Sequence, residues 1–350
     1  MSCSKAEGCV NTISDYSITK CIGKGTYGSV FKGVHKQTGD VVALKRIDFT
    51  DIGIPKSSTR EIQLLMGLKH PNIIHLREIV VDDVSKENGS IPNHFYLVFD
   101  FIDNDLAGIV RAINQKMLPP LSCSVLQWYI YQIVSVLDFL HGSHIIHRDI
   151  KLDNFLVTND HHIYLSDFGL SRLITSSSRL SFPAYAMAYR SPEILLEMQP
   201  YTMAADIWAL GVLIATILLG RTLFVGTTDR EVMVDILSKC GVPPMSIRSG
   251  LKECSLEAPI PSMRCIKTIL EAGEGVSFSC HRDRDQLIDL CDRLLDLNPK
   301  MRPTTHMILL HPFLKDIVPP SRMRDITEMK QCDDPLLNLV VRNKETWRLC

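Results

Sequence analysis

Residues 147–169 read HRDIKLDNFLVTNDHHIYLSDFG, and the interpretation of this stretch decides the fold. It carries Asp149, Lys151, Asn154 and Asp167 in two polar segments, HRDIKLDN and SDFG, separated by FLVTNDHHIYLS. That spacer predicts a β-hairpin turning at Asn159–Asp160, with a loop on either side. A hairpin returns the chain to its start, so the two segments would lie side by side. Asp149 could then take a proton from a hydroxyl nucleophile, and Lys151 could neutralise a transferring phosphoryl group. Asn154 and Asp167 offer hard oxygen ligands, which suit Mg²⁺ better than softer metals. The triplet alone says little, because it recurs at His281-Arg282-Asp283 without the following Lys, Asn and Asp-Phe-Gly. That second copy reads as a solvated charged loop.

The whole chain has 350 residues, enough for one two-lobed unit or two ordinary domains. With 45% hydrophobic and 22% charged residues, its composition is that of a soluble globular protein. A formal net charge of −1 implies no global attraction to nucleic acid or to an anionic membrane. Eleven cysteines, odd in number and without a C-x-x-C pair, read as reduced intracellular thiols, not as a disulfide framework or zinc site. The first fifteen residues lack the apolar core of a signal peptide and read as a loose tail. The run Ile207–Leu219 is too short to span a bilayer and reads as a buried helix, and Cys350 is not placed for a lipid anchor.

Towards the N-terminus, YSITKCIGKGTYGSVFKGVHK (16–36) predicts two strands joined at Gly23-x-Gly25-x-x-Gly28. Glycine permits close backbone approach, so backbone N–H groups can cover a phosphate chain. A plain glycine hairpin gives the same pattern. A dinucleotide fold would need a helix to open at once, but Val30–Val34 continues as a strand. The next strand, VVALKRI (41–47), buries the neighbours of Lys45. Such a lysine either snorkels to the surface or is held by a carboxylate, and Glu61 on the helix STREIQLLMGL is the candidate. A polar loop, 82–93, precedes a strand at Phe95–Phe99, and apolar spacing predicts a helix over 121–142.

These motifs together resemble the eukaryotic protein kinases over residues 16–314. The resemblance implies an α+β, two-lobed fold, with a small antiparallel-sheet N-lobe (16–99) carrying one main helix. A hinge (100–103) and a larger, mostly helical C-lobe (104–314) would follow, with 315–350 as an extension. It implies ATP and Mg²⁺ as cofactors. Asp149, Lys151 and Asn154 match the catalytic loop, and Asn154 and Asp167 match the metal ligands. Ile22, Gly23, Lys24, Gly25, Thr26, Tyr27, Gly28, Ser29 and Val30 match the nucleotide-covering loop. Lys45 and Glu61 match the phosphate-holding pair. Phe99 would lie behind the adenine, or simply in the core, with the backbones of Asp100 and Ile102 at its edge. Asp206 would tie to the catalytic-loop backbone, and Arg302 would partner Glu193. Arg60, Arg148 and Arg172 match positions that converge on a phosphorylated side chain. Ser181 is the best-aligned acceptor, with Ser176, Ser177 and Ser178 as alternatives. Ordinary pairing of these arginines with carboxylates is the other reading.

The chain looks closest to the cyclin-dependent kinases, because GIPKSSTREI (53–62) resembles their cyclin-binding helix. By analogy Thr26 and Tyr27 would be inhibitory phosphorylation sites. DNDLAGIV (103–110) resembles the transcription-associated members, which act on the RNA polymerase II C-terminal repeat. The expected partners are a cyclin and protein substrates with Ser/Thr-Pro sites, with no nucleic acid and no membrane. The expected location is the nucleus, with the cytoplasm second. Two departures stand out in AMAYRSPE (186–193): Ala186 replaces a usual Thr and Ala188 a usual Trp, while Arg190, tied to the Ser/Thr-Pro preference, is kept. Loss of the Thr hydroxyl forfeits one brace on the catalytic Asp and Lys, worth about 1–3 kcal/mol. The rival readings are a cell-cycle cyclin-dependent kinase, a weakly active or non-catalytic binding protein on this fold, and a cyclin-independent relative of mitogen-activated type. The mitogen-activated type carries a T-x-Y pair that this segment lacks.

Overall fold

The computed structural model describes residues 12–25, 28–50, 53–82, 94–174, 186–200, 202–253, 263–315 and 317. The chain divides into two compact units between Asp103 and Asn104.

The first unit is built on β1 (Tyr16–Gly25), β2 (Gly28–His35), β3 (Val41–Asp48), α1 (Lys56–Gly67), β4 (Leu76–Val81) and β5 (His94–Asp100). The strands form an antiparallel sheet in the order β1-β2-β3-β5-β4. Strand alternation sends Val42, Leu44, Val80, Tyr96, Val98 and Tyr16 into one apolar cluster, with Ile13 and Phe31 packed against it. The N-terminal segment is ordered earlier than the sequence suggests. Thr12–Asp15 forms a 3-10 turn in which the Thr12 N–H donates to the Asp15 carboxylate at 3.2 Å, and Thr12 bridges to Val81. A local capping bond and a sheet edge outweigh the polar composition there. Residues 1–11 lie outside the described residues.

The second unit opens with β6 (Asn104–Asp105) and α2 (Leu106–Asn114), capped by the Asp105 carboxylate accepting from the Gly108 N–H. It continues through β7 (Leu121–Ser122), α3 (Cys123–Gly142), β8 (Ile145–Ile146), β9 (Phe155–Val157), β10 (Ile163–Leu165) and β11 (Arg172–Leu173). Then follow α4 (Pro192–Leu195), α5 (Ala204–Leu219), α6 (Asp229–Cys240), α7 (Met245–Glu253) and α8 (Ile266–Glu271). Strand β12 (Val276–Ser277), α9 (His281–Leu294) and α10 (Thr305–Leu309) complete it. Helix α3 is long and apolar enough to cross a membrane by length and composition. Its residues Leu126, Ile130, Ile133, Val134, Leu137 and Leu140 are fully buried within this unit, which makes it a core helix. Helix α5 is buried along nearly its whole length and ends at Gly220, whose φ of +68° suits the residue without a Cβ.

The second His-Arg-Asp triplet is not a loop. It forms the first turn of α9, with His281 and Arg282 exposed, because Leu287, Ile288, Leu290, Cys291 and Leu294 supply a helical apolar stripe. Its charges are the solvated face of a packed helix. Cys21, Cys123, Cys240, Cys265, Cys280 and Cys291 are free thiols.

Candidate active site

The hairpin at 155–165 forms as an antiparallel pair, with Phe155 opposite Leu165 and Val157 opposite Ile163. Asn159 and Asp160 lie in its turn. At its base the Ser166 N–H and hydroxyl both donate to the Asn154 carbonyl at 2.9 Å. This joins the two polar segments. Asp149 is buried, and its Oδ2 accepts from Lys151 Nζ and from Asn154 Nδ2, each at 2.8 Å. Asn154 Nδ2 also donates to the Asp149 carbonyl at 2.7 Å. Both amide protons of Asn154 are thus engaged by Asp149, so its Oδ1 is the end turned away from that residue. Asp167 is half-buried, with a φ of +60°, and the Gly169 N–H donates to its Oδ1 at 3.3 Å.

The loop carrying Asp149 is anchored from beneath by α5. Asp206 is fully buried, and its two oxygens accept the His147 N–H at 2.8 Å and the Arg148 N–H at 2.9 Å. His141 Nε2 lies 3.1 Å from the same carboxylate. Burial alone would raise the Asp206 pKa, but the His141 bond and charge and the Arg148 N–H hold it below the usual carboxylate value. Arg148 has a φ of +71°, a left-handed conformation that costs a non-glycine residue about 1 kcal/mol or more. The Asp206 anchor offsets that strain. Burial pushes His147 below its ordinary value, so its imidazole is neutral. Its Nδ1 accepts the Asp149 N–H at 3.3 Å, and the Phe168 ring packs edge-on 5.1 Å away. The Ser171 hydroxyl donates to the His147 carbonyl at 3.2 Å. His141, Ser166 and Ser171 were not singled out by the sequence, where a lone His at a helix end or a Ser beside a motif carries no signal.

A second anchor lies further on. Arg302 grips Glu193 with two nitrogens at 2.6 and 2.9 Å, and also donates to the carbonyls of Asp296 and Ala204 at 2.8 Å. Its guanidinium stands 4.9 Å from the Trp208 ring. Ala186 opens the turn Met187–Tyr189, offering no hydroxyl to Asp149 or Lys151. Arg190 forms an ion pair with Asp229. Ser176, Ser177, Ser178 and Ser181 lie outside the described residues, as does nearly all of 315–350.

In the first unit, Lys45 sits mid-sheet between Val30 and Leu97. Its Nζ lies 2.6 and 2.9 Å from the two carboxylate oxygens of Glu61, which is 3% exposed. The lysine is therefore fixed, not snorkelling. The β1–β2 hairpin closes with Gly25 opposite Gly28, and Gly23 and Lys24 pair with Val30 and Ser29. Gly28 has a φ of +146°, and a Cβ there would lie 1.9 Å from the Arg46 carbonyl oxygen. Only glycine fits. Ile22 is half-buried beside this turn, and Thr26 and Tyr27 lie outside the described residues. Asp100 pairs with Arg77 at the end of β5, and Ile102 is half-buried beyond it. Arg60 is on α1, whereas Arg148 and Arg172 belong to the second unit.

The protein kinase domain model matches residues 16–314. The chain belongs to the protein kinase family. This kinase is 34% identical over 297 residues to the probable cyclin-dependent kinase 10 of Dictyostelium discoideum, covering 83% of this chain and 76% of that protein. It is 31% identical over 319 residues to the cell division control protein 2 homolog 3 of Trypanosoma brucei brucei, covering 89% and 95%. The kinase is thus a protein serine/threonine kinase similar to the cyclin-dependent kinases, in a family that generally uses ATP and Mg²⁺. The donor chemistry fits that metal. Asn154 and Asp167 supply oxygen, and among the described residues no group of three or more His, Cys, Asp or Glu forms a self-sufficient cage. Mg²⁺ is held in this way, by one or two side chains together with phosphate oxygens and water.

Proposed function

We propose that this kinase transfers the γ-phosphate of ATP to Ser/Thr-Pro sites of protein substrates when bound to a cyclin. The observation that carries the reading is the Asp149–Lys151–Asn154 cluster, with Asp149 and Asn154 buried, Lys151 half-buried, and the group joined to Asp167 by a short hairpin. Asp149 orients the substrate hydroxyl and takes its proton. Lys151 balances charge on the transferring group. Asn154 and Asp167 hold Mg²⁺, which neutralises phosphate charge when bound. Lys45, fixed by Glu61, binds the nucleotide phosphates, and the Ile22–Val30 segment covers them. The backbones of Asp100 and Ile102 take the base. Most of the rate enhancement then comes from placement and preorganised charge.

The cyclin-dependent relatives and the GIPKSSTREI segment support a cyclin as partner, docking on α1 near Pro55 and Arg60. Arg190 supports the preference for proline after the acceptor. The DNDLAGIV segment makes the RNA polymerase II C-terminal repeat the first substrate to try, and a nuclear location goes with it. Ala186 sets the rate below that of a kinase with the Thr brace, by about one to two decades if the brace acts only in the transition state.

The experiment is radiolabel transfer from ATP to a Ser-Pro peptide by the purified cyclin complex. Asp149→Asn should abolish transfer while nucleotide still binds. Near-normal transfer by that variant would remove Asp149 from the role. A cyclin captured by the wild type but not by a Pro55→Ala/Arg60→Ala double variant would tie the partner to α1, and equal capture by both would not.

A further inference from the structure

Helix α3 carries a cluster of side chains that the proposed chemistry does not use. Trp128, Tyr129 and Gln132 all reach the tip of the β9–β10 hairpin. The Trp128 indole N–H donates to the His161 carbonyl at 3.1 Å, and Gln132 Nε2 donates to the same oxygen at 3.0 Å. Gln132 Oε1 accepts the Ile163 N–H at 2.9 Å. The Tyr129 hydroxyl and His161 Nδ1 lie 2.7 Å apart. Gln132 is 2% exposed, and Tyr129 and His161 are 0% and 1% exposed. One helix therefore grips the hairpin tip with four hydrogen bonds, the three from Tyr129 and Gln132 buried.

The residue at the tip bears on what this grip does. His161 has a φ of +63°, where glycine would sit without strain. That backbone conformation is accompanied by a carbonyl with two donors and an imidazole against Tyr129. Each hairpin strand has only three residues, and a hairpin of that length does not hold its own geometry in isolation. One end of the hairpin adjoins Asn154, and the other leads through Ser166 to Asp167. With about four residues at about 3.3 Å each, the lever from tip to base is about 13 Å long. A tilt of about 5° at the tip would move the base by about 1 Å, whereas metal–ligand distances tolerate only about 0.2 Å.

We propose that Trp128, Tyr129 and Gln132, clamped on His161, are positioning residues that set where the far end of the hairpin, and with it the two metal ligands, stands. They touch neither metal nor nucleotide and act through the hairpin. The proposal rests on the metal role given above to Asn154 and Asp167.

The test is a Mn²⁺ titration followed by electron paramagnetic resonance, on the full chain with its cyclin and a non-hydrolysable ATP analogue. Gln132→Leu keeps the volume and removes two of the bonds. It should raise the Mn²⁺ dissociation constant about tenfold, the size of effect typical when a partner of a metal ligand is lost. Trp128→Phe keeps a ring in place and should give a smaller rise in the same direction, which preserves the test if Gln132→Leu fails to fold. The metal concentration for half-maximal phosphotransfer should rise in parallel, with the rate recovering at high metal. Leu290→Val, in the core of α9, is the control for a plain loss of stability and should leave metal affinity unchanged. Lower melting temperatures with wild-type Mn²⁺ affinity in both α3 variants would overturn the proposal and leave a structural role only. Absence of nucleotide-dependent Mn²⁺ uptake by the wild type would overturn the metal assignment itself, and the proposal with it.

Discussion

Replacing Asp206 by Asn should uncouple the catalytic loop from the body of the second unit. The native carboxylate accepts from two backbone N–H groups and sits against His141, with no exposure to water. An amide presents one oxygen and one NH₂ to the same donors. Whichever way it is turned, either the His147 or the Arg148 N–H faces another N–H. An orphaned buried donor costs about 1–3 kcal/mol, and the surviving bonds lose their charge assistance, so the total is about 2–4 kcal/mol. At about 2–4 °C per kcal/mol, the melting temperature should fall by about 4–16 °C. The Arg148 conformation at φ +71° would lose its tether and relax, moving Asp149 one residue on. A displacement near 1 Å lowers the rate about 100-fold. Scanning fluorimetry and steady-state phosphotransfer would read both effects, with the KM for ATP nearly unchanged because Lys45 and Glu61 are untouched. A melting shift under about 2 °C with a normal kcat would refute the reasoning.

Arg302→Lys should destabilise the chain by about 3 kcal/mol, read from denaturant midpoints, because a single ammonium cannot reproduce the two-nitrogen grip on buried Glu193. Gly28→Ala should raise the KM for ATP about tenfold, since a Cβ 1.9 Å from the Arg46 carbonyl forces the covering hairpin to shift. Stability should also fall on mild acidification. The unfolded chain takes up a proton on His147 near pH 6.5, whereas burial lowers the folded value. The unfolded state therefore binds more protons just below pH 6.5, and stability declines as pH drops from there through the folded pKa. Urea midpoints between pH 7 and 5 should show this slope, flattened in His147→Asn. Asp206 acts at lower pH: its depressed pKa gives a contribution present above the ordinary carboxylate value and lost as pH falls through the folded one.

Much of the site was legible because its parts are local. The spacer between Asn154 and Asp167 has two short apolar runs, FLV and IYL, on either side of Asn-Asp, so the hairpin follows from strand and turn chemistry. The β1–β2 turn is marked by its glycines, and the placement of Lys45 by the apolar residues around it. The misreadings also have local causes. The charges of the second His-Arg-Asp taken alone fit a loop, whereas the stripe at Leu287, Ile288 and Leu290 makes it the start of a helix. Thr12–Asp15 looked loose because a capping bond to Asp15 is invisible in composition. Gln132 and His161 carried a faint signal, a polar residue in an apolar helix and a histidine in a turn, that nothing in the sequence connected.

The sequence by itself determined the strands, the apolar helices and the short-range cluster of Asp149, Lys151 and Asn154, because those depend on side-chain period and on neighbours a few positions apart. Which distant groups would meet was decided only by tertiary packing. Asp206 reaches back 58 positions to the Arg148 backbone, Gln132 forward 31 to Ile163, and Arg302 lies 109 positions from Glu193. A buried charge or amide must find its partner wherever the packed helices bring one, and a linear pattern does not encode that meeting point.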